Sequence, residues 1–99
     1  MGEKSFQRRQ VLVEGYVQGV GYRAFVRSWA IRLSVSGWVR NRTDGSVEAL
    51  VQGGTDDLEA LLAEMRRGPL GSEVISLRII EADEGVVEGT DIFIVRPTL

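Results

Sequence analysis

Residues 15–23 read Gly-Tyr-Val-Gln-Gly-Val-Gly-Tyr-Arg and join a β-type run to a helical run. Glycine adopts positive φ angles at little steric cost, so Gly15, Gly19 and Gly21 allow a sharp turn whose consecutive N–H groups point into one concavity. The helix that follows adds unpaired N–H donors and a partial positive charge, which together favour an anion. Arg23 adds a guanidinium group that can hold two phosphate oxygens. The stretch therefore predicts a phosphate-binding corner between a strand and a helix.

The rest of the chain alternates β-type and helical patterns, with turn residues between them. Thr43-Asp44-Gly45 is typical of a hairpin, Thr55 with two following aspartates is typical of a helix N-cap, and Gly68-Pro69 ends that helix. The predicted elements are strand 10–14, helix 22–33, strands 35–42 and 46–53, a helix between Thr55 and Gly68, and strands 74–81 and 92–96. This order predicts a ferredoxin-like βαββαβ α+β sandwich, in which two helices cover one face of an antiparallel sheet and a short extra strand follows.

Alternation within two strands indicates which side chains face the core. In the third predicted strand, apolar residues alternate with Glu48 and Gln52, as expected for a sheet with one solvated face. In the fourth, Ile75, Leu77 and Ile79 are expected to share one face.

The composition limits the chemistry that the protein can perform. The chain has 99 residues, of which 43% are hydrophobic and 26% charged, as in ordinary soluble domains. Its formal net charge of −2 argues against a nucleic-acid partner, which would favour a basic face. It contains no cysteine and no histidine, so disulfides, thiol nucleophiles, imidazole bases and the commonest transition-metal ligands are excluded. Catalysis would depend on arginine, amide, carboxylate and hydroxyl groups and on backbone N–H.

The organisation of the chain predicts a single domain. We expect a flexible leader over residues 1–8 and a folded domain over 9–99, which acts as a monomer. No stretch approaches the roughly 20 apolar residues that span a bilayer, and the first nine residues lack the apolar core of a signal peptide. A cytoplasmic protein without a membrane partner is expected.

Taken alone, the glycine-rich corner also fits a structural role, with glycines in tight packing and a solvated Arg23. A second motif, in the hairpin, favours the functional role over the structural one. Together the two motifs resemble the two signature patterns of acylphosphatases in order, spacing and placement. The matching residues are Gly15-Tyr16-Val17-Gln18-Gly19-Val20 with Tyr22-Arg23, and Gly37-Trp38-Val39-Arg40-Asn41 with Gly45, Val47 and Gly53. Acylphosphatases are about as long as this chain, so the resemblance extends over nearly all of it.

The resemblance implies hydrolysis of a small-molecule acyl phosphate to a carboxylate and inorganic phosphate, without metal or other cofactor. It implies that Arg23 is the phosphate-binding catalytic arginine and that Asn41 positions the attacking water. It further implies a set of backbone amides that hold the phosphate, those of Gln18, Gly19, Val20, Gly21, Tyr22 and Arg23. This chemistry fits the composition, because a carboxylate leaving group needs little acid help and phosphoryl transfer depends on positioning and charge stabilisation.

Asn41 also fits a purely local role. Asparagine near a hairpin often only satisfies local backbone groups. Here Asn41 ends a strand expected to pair beside the first, where it could face the corner loop.

In acylphosphatases the terminal carboxylate can pair with the catalytic arginine. This chain ends Arg96-Pro97-Thr98-Leu99 without the family's aromatic-rich finish, so that contact is not carried over.

Three other functions are compatible with parts of the sequence. A non-catalytic module of the same family, which binds phosphate or carbamoyl phosphate, is the main alternative. Residues 19–24 also fit the dinucleotide fingerprint Gly-x-Gly-x-x-Ala, but the chain is too short for a doubly wound sheet. RNA-binding domains share the βαββαβ order, but the third strand here lacks the aromatic residues on which they stack bases.

Overall fold

The strand that leads into the glycine-rich corner lies inside the sheet, between two antiparallel neighbours. In the computed structural model, which describes residues 6–84 and 92–99, the sheet order is β4-β1-β3-β2-β5. The elements are β1 (Phe6–Tyr16), α1 (Tyr22–Arg32), β2 (Ser36–Asn41), β3 (Val47–Gly54), α2 (Thr55–Arg67), β4 (Glu73–Glu84) and β5 (Phe93–Val95). This arrangement confirms the predicted ferredoxin-like α+β fold with a short additional strand.

The core lies between the helices and one face of the sheet. Alternate residues of the central strands are fully buried, including Val11, Val13, Val47, Ala49 and Val51. The helices supply the opposing surface with Tyr22, Val26 and Ala30 from α1 and Leu58, Leu61, Leu62 and Met65 from α2. Each large aliphatic side chain buried here contributes about 1.5–3 kcal/mol of transfer free energy, so both helices are held mainly by this face.

The edges of the sheet differ from the prediction in two respects. β1 begins at Phe6 and pairs residues 6–8 with β3, although these residues were expected in the leader; residues 1–5 lie outside the described part of the chain. β5 is parallel to β2, so the sheet is mixed, and not wholly antiparallel. β3 and β4 both run opposite to β1, and β2 runs opposite to β3. A strand that reverses direction after β4 is therefore parallel to β2.

The position of Asn41 in the sheet also corrects an expectation. β2, which ends at Asn41, pairs with β3 on one side and β5 on the other, and β3 separates it from β1. In a split βαβ arrangement, the hairpin places its second strand beside the first strand of the chain. The end of β2 at Asn41 is therefore separated from the end of β1 by the width of β3.

Helix α2 starts one residue away from the predicted N-cap. Gly54, the last residue of β3, is the N-cap, with φ −65° and ψ 150°, and Thr55 is already helical. Because the strand continues directly into the helix, its last residue supplies the extended backbone that an N-cap requires. Gly68, with φ 68°, ends the helix as expected.

Two irregularities in β4 change which side chains face the core. The pairing of β1 with β4 shifts between Glu14 and Gly15 and again between Gln10 and Val11. The first shift leaves Ile75 unpaired and 74% exposed, and Ile79 is 44% exposed. Of the three residues expected to share one face, only Leu77 packs against the core. Gly15 is required here, because a Cβ atom at this position would lie 2.2 Å from the Glu73 carbonyl oxygen.

The sheet face opposite the helices is not simply solvated. Glu48 and Gln52 point to this face, as predicted from alternation, yet they are only 3% and 8% exposed. Long side chains on neighbouring strands cover Glu48, since Gln10, Arg40 and Arg42 all donate hydrogen bonds to it. The expectation of a solvated Glu48 is therefore wrong.

Candidate active site

The corner between β1 and α1 has the conformation that its glycines favour. Gly19 and Gly21 adopt left-handed φ angles of 76° and 78°. Gly21 is the N-cap of α1, and its carbonyl oxygen accepts a 3.0 Å hydrogen bond from the Phe25 N–H. The first turn of α1 contains no acidic residue, so no side chain there neutralises the positive end of the helix dipole. This corner is therefore suited to an anion.

Arg23 follows at the second position of the helix and is half-buried. Among the described side chains, those of residues 6–81 and 92–99, no carboxylate lies within 4.0 Å of its guanidinium, the terminal carboxylate of Leu99 included. An arginine stays protonated at every physiological pH. Its charge is thus not matched by a carboxylate in the described part of the protein.

Gln18 connects the corner to the hairpin between β2 and β3. Its side-chain amide donates hydrogen bonds of 2.8 Å to the carbonyl oxygens of Arg42 and Ser46. Both N–H groups of the amide are used in this contact, so its side chain has no further donor to offer a phosphate. The backbone N–H of Gln18 can still belong to the predicted cradle.

Asn41 lies immediately before this hairpin turn, as the last residue of β2. Its Oδ1 atom is buried and, among the described residues, has no hydrogen-bond partner. A buried acceptor without a partner loses about 1–3 kcal/mol of solvation, so such atoms are rare unless a ligand or water binds them. The local backbone role considered for this side chain is therefore not observed for Oδ1.

The hairpin turn that follows Asn41 is held by its own hydrogen bonds. Asp44 Oδ1 accepts one from the Ser46 N–H at 2.9 Å and one from the Ser46 hydroxyl at 2.6 Å. These bonds hold the pKa of Asp44 below its ordinary value. The Arg42 N–H also donates to the Ser46 carbonyl at 2.8 Å, so the turn is defined before any ligand binds.

The C-terminal residues reach the same end of β2. The Arg96 N–H donates to the Val39 carbonyl at 2.8 Å, and the Leu99 N–H donates to the Asn41 carbonyl at 3.1 Å. The chain end therefore supports the backbone of Asn41, and its carboxylate does not pair with Arg23.

Two residues of the predicted cradle use their side chains for packing. Tyr22 is 1% exposed, its hydroxyl donates to the Met65 carbonyl at 2.8 Å, and burial raises the pKa of that hydroxyl. Val20 is partly buried against the core. Both can contribute only backbone N–H groups to a ligand.

Comparison with known proteins identifies the family. The family model for acylphosphatase matches residues 9–92. The acylphosphatase of Rhodopseudomonas palustris (strain BisB18) is 49% identical over 84 residues, which cover 85% of this chain and 82% of that protein. The chain belongs to the acylphosphatase family. The acylphosphatase assignment made from the two signatures, and with it the enzyme class, is therefore confirmed.

Solved structures related to acylphosphatases show the same fold. An acylphosphatase from Coxiella burnetii covers 97% of this chain and 100% of its own, with a TM-score of 0.82 and 35% identity. Full-length HypF, in its phosphate- and nucleotide-bound form, matches over 99% of this chain with a TM-score of 0.79 and 29% identity. That match covers only 13% of HypF, so this acylphosphatase fold also occurs inside a much larger protein.

The sequence did not indicate every group around the site of this acylphosphatase. The contacts of Gln18 with two hairpin carbonyls and the burial of Glu48 were both missed. No local pattern signals either one, because each depends on strand register. The described residues contain no group of three or more acidic side chains placed to hold a metal ion, and none of their helices is long and apolar enough to cross a membrane.

Proposed function

We propose that the protein hydrolyses acyl phosphates by direct attack of water on phosphorus, without a metal ion. The observation that carries this proposal is the buried Oδ1 of Asn41, which has no hydrogen-bond partner among the described residues. Asn41 lies directly before the hairpin turn, and the Gln18 amide joins that turn to the glycine-rich corner. An amide oxygen of this kind can accept a hydrogen bond from the attacking water. That bond orients the water so that a lone pair on the water oxygen points at phosphorus.

The phosphate group is assigned to the corner itself. The N–H groups of residues 18–23 and the Arg23 guanidinium hold the non-bridging oxygens and stabilise the charge that develops on them. Support comes from the left-handed Gly19 and Gly21 and from the charge of Arg23, which no described carboxylate matches. Proximity and charge stabilisation supply most of the rate enhancement in this type of reaction.

The reaction proceeds in a single displacement. Water held by Asn41 forms a bond to phosphorus while the bond from phosphorus to the acyl oxygen breaks, and the carboxylate leaves with that electron pair. Asparagine cannot accept a proton from the water, so a non-bridging phosphate oxygen takes it. The leaving carboxylate is stable as an anion at neutral pH, and no general acid is needed.

The direct test is release of phosphate from benzoyl phosphate in the presence of EDTA. We expect turnover that is unchanged by the chelator. Tight binding of inorganic phosphate without turnover would instead identify a non-catalytic binding module, the alternative for which the match to part of HypF provides precedent in fold.

The proposal is for a monomeric enzyme, because every group assigned to the site comes from one chain. Light scattering after size-exclusion chromatography tests this point, and a dimer would contradict it. The cytoplasmic location stays a prediction from the sequence.

A further inference from the structure

Glu48 is a buried carboxylate on the sheet face that the helices leave uncovered. Its side chain is 4% exposed. One oxygen accepts hydrogen bonds from Arg40 Nε at 3.0 Å and from Arg42 at 3.1 Å, and the other accepts from the Gln10 amide. This network plays no part in the proposed phosphate cradle.

The two arginines are the immediate neighbours of Asn41 in the sequence. Side chains alternate across a strand, so Asn41 points to the helix-covered face while Arg40 points to the opposite one. Arg42 follows the end of β2 and turns back to the same carboxylate as Arg40. Glu48 thus holds the backbone on both sides of Asn41 from the other face of the sheet.

Arg42 extends this restraint to the corner loop. Its guanidinium contacts Glu48, while its carbonyl oxygen accepts the hydrogen bond from the Gln18 amide. A shift of Arg42 would therefore move Asn41 and would also disturb the hydrogen bond between Gln18 and the hairpin. Arg40 is restrained a second time, because its guanidinium stacks over Trp38 with 4.8 Å between the charged carbon and the ring centre.

We infer that Glu48 is a positioning residue for the hydrolysis, which sets the orientation of Asn41 through Arg40 and Arg42. This inference rests on the proposed function, since it assigns Asn41 to the attacking water. Glu48 does not touch the substrate. Its effect should appear in the rate of the chemical step and not in the affinity for phosphate.

The first experiment compares Glu48→Ala with Glu48→Gln. We expect Glu48→Ala to lower kcat for benzoyl phosphate by about ten- to a hundredfold, while inhibition by inorganic phosphate changes by less than about threefold. Glu48→Gln should recover most of kcat, because the amide oxygen can still accept from both arginines and Gln10 can turn its own oxygen towards the new N–H. Equal loss in both variants, or a loss of phosphate affinity that matches the loss of kcat, would overturn the inference.

Arg42→Met provides a second test of the same network, which does not depend on whether Glu48→Ala folds. Arg42 is 36% exposed, so its replacement should leave the fold intact even if Glu48→Ala does not fold. We expect a smaller loss of kcat in the same direction. An unchanged kcat in this variant would contradict the restraint through Arg42.

A control variant separates positioning from stability. Glu59→Ala removes the 2.9 Å ion pair between Glu59 on α2 and Arg9 on β1, which is remote from the hairpin. It should leave kcat unchanged, whatever it does to the melting temperature. If kcat falls equally in this control, the effect of Glu48→Ala is one of general stability.

A double-mutant cycle with Asn41→Ala distinguishes this inference from the proposed function. If Glu48 acts through Asn41, adding Glu48→Ala to Asn41→Ala should lower kcat no further. Fully additive losses would overturn the positioning role and leave the proposed function standing. Wild-type kcat in Asn41→Ala alone would overturn the proposed function itself.

Discussion

At the scale of single residues, the site depends on two side chains with different duties. Arg23 brings a permanent charge with no carboxylate partner among the described residues, and Asn41 brings a neutral acceptor that is buried without a partner. A charge acts on the phosphate in both the ground state and the transition state. An acceptor that orients water acts mainly on the chemical step. Substitution of Arg23 should therefore lower both phosphate affinity and turnover, whereas substitution of Asn41 should lower mainly turnover.

Arg23→Ala should abolish most of the phosphate affinity and lower kcat/KM by about a thousandfold, because the only side-chain charge assigned to the phosphate is lost. The fold should survive, since Arg23 is half-buried and forms no ion pair with a described residue. Phosphate inhibition, benzoyl phosphate turnover and circular dichroism measure these effects. Arg32→Ala, at the other end of α1, is the matched control. Near-normal activity in Arg23→Ala would disprove the assigned site.

Asn41→Ala should lower kcat by about a hundredfold and change phosphate inhibition little, because it removes a group that contacts only the water. The same substitution removes a buried Oδ1 that has no partner in the described part of the chain, so the protein should keep or gain stability. Steady-state kinetics and urea unfolding give both values. Equal losses in phosphate binding and turnover would show that Asn41 holds the phosphate and not the water.

At the scale of elements, the site is made where a strand, a helix and a hairpin turn meet. The corner contributes N–H donors at the start of α1, and the hairpin contributes Asn41 at the end of β2. Gln18 joins them through two backbone carbonyl groups. The conformation of the corner therefore affects both halves of the site.

Gly21→Ala tests the conformation of the corner. A Cβ atom at Gly21 would meet no heavy atom within 4 Å, so the cost of the substitution is conformational and not a clash. A left-handed alanine costs about 1–2 kcal/mol, and we expect that loss in the free energy of unfolding together with weaker phosphate binding. Gly21→Asn should lose less, since asparagine tolerates this conformation better. A larger loss in Gly21→Asn than in Gly21→Ala would show that side-chain bulk, and not the left-handed backbone, is responsible.

At the scale of the whole molecule, the buried charge of Glu48 makes the free energy of unfolding depend on pH. Burial raises the pKa of the Glu48 carboxyl, but hydrogen bonds from Arg40, Gln10 and Arg42 outweigh this and hold the pKa below its ordinary value of 4.5. A carboxyl group whose pKa is lower in the folded state stabilises the fold above the unfolded-state pKa. That stabilisation disappears as the pH falls through the folded-state pKa.

The free energy of unfolding should therefore fall as the pH is lowered below about 4.5. Glu48→Gln should flatten this fall, because glutamine does not titrate. Urea unfolding at a series of pH values from 7 to 3 measures both slopes; the exposed Asp44, whose pKa is also lowered, contributes equally to both proteins. Identical slopes would show that Glu48 has the same pKa in the folded and unfolded states.

The order of helices and strands and the family were accessible from the sequence because they depend on short-range patterns. The helical spacing that begins at Tyr22, the turn residues at 43–45 and the Gly68-Pro69 stop each act within a few residues of the chain. The two signatures likewise occupy continuous stretches, so Arg23 and Asn41 could be named before any contact was known.

The surroundings of those residues were decided only by tertiary structure. Gln18 meets the hairpin 24 and 28 residues away, and Gln10 meets Glu48 across 38 residues. The shift that exposes Ile75 and the position of β3 between β1 and β2 also depend on strand pairing. The sequence by itself thus determined the glycine-rich corner and the residues that could do chemistry. Only packing, which brings distant strands into one register, determined that the buried oxygen of Asn41 has no partner among the described residues and that a buried carboxylate holds both neighbours of Asn41.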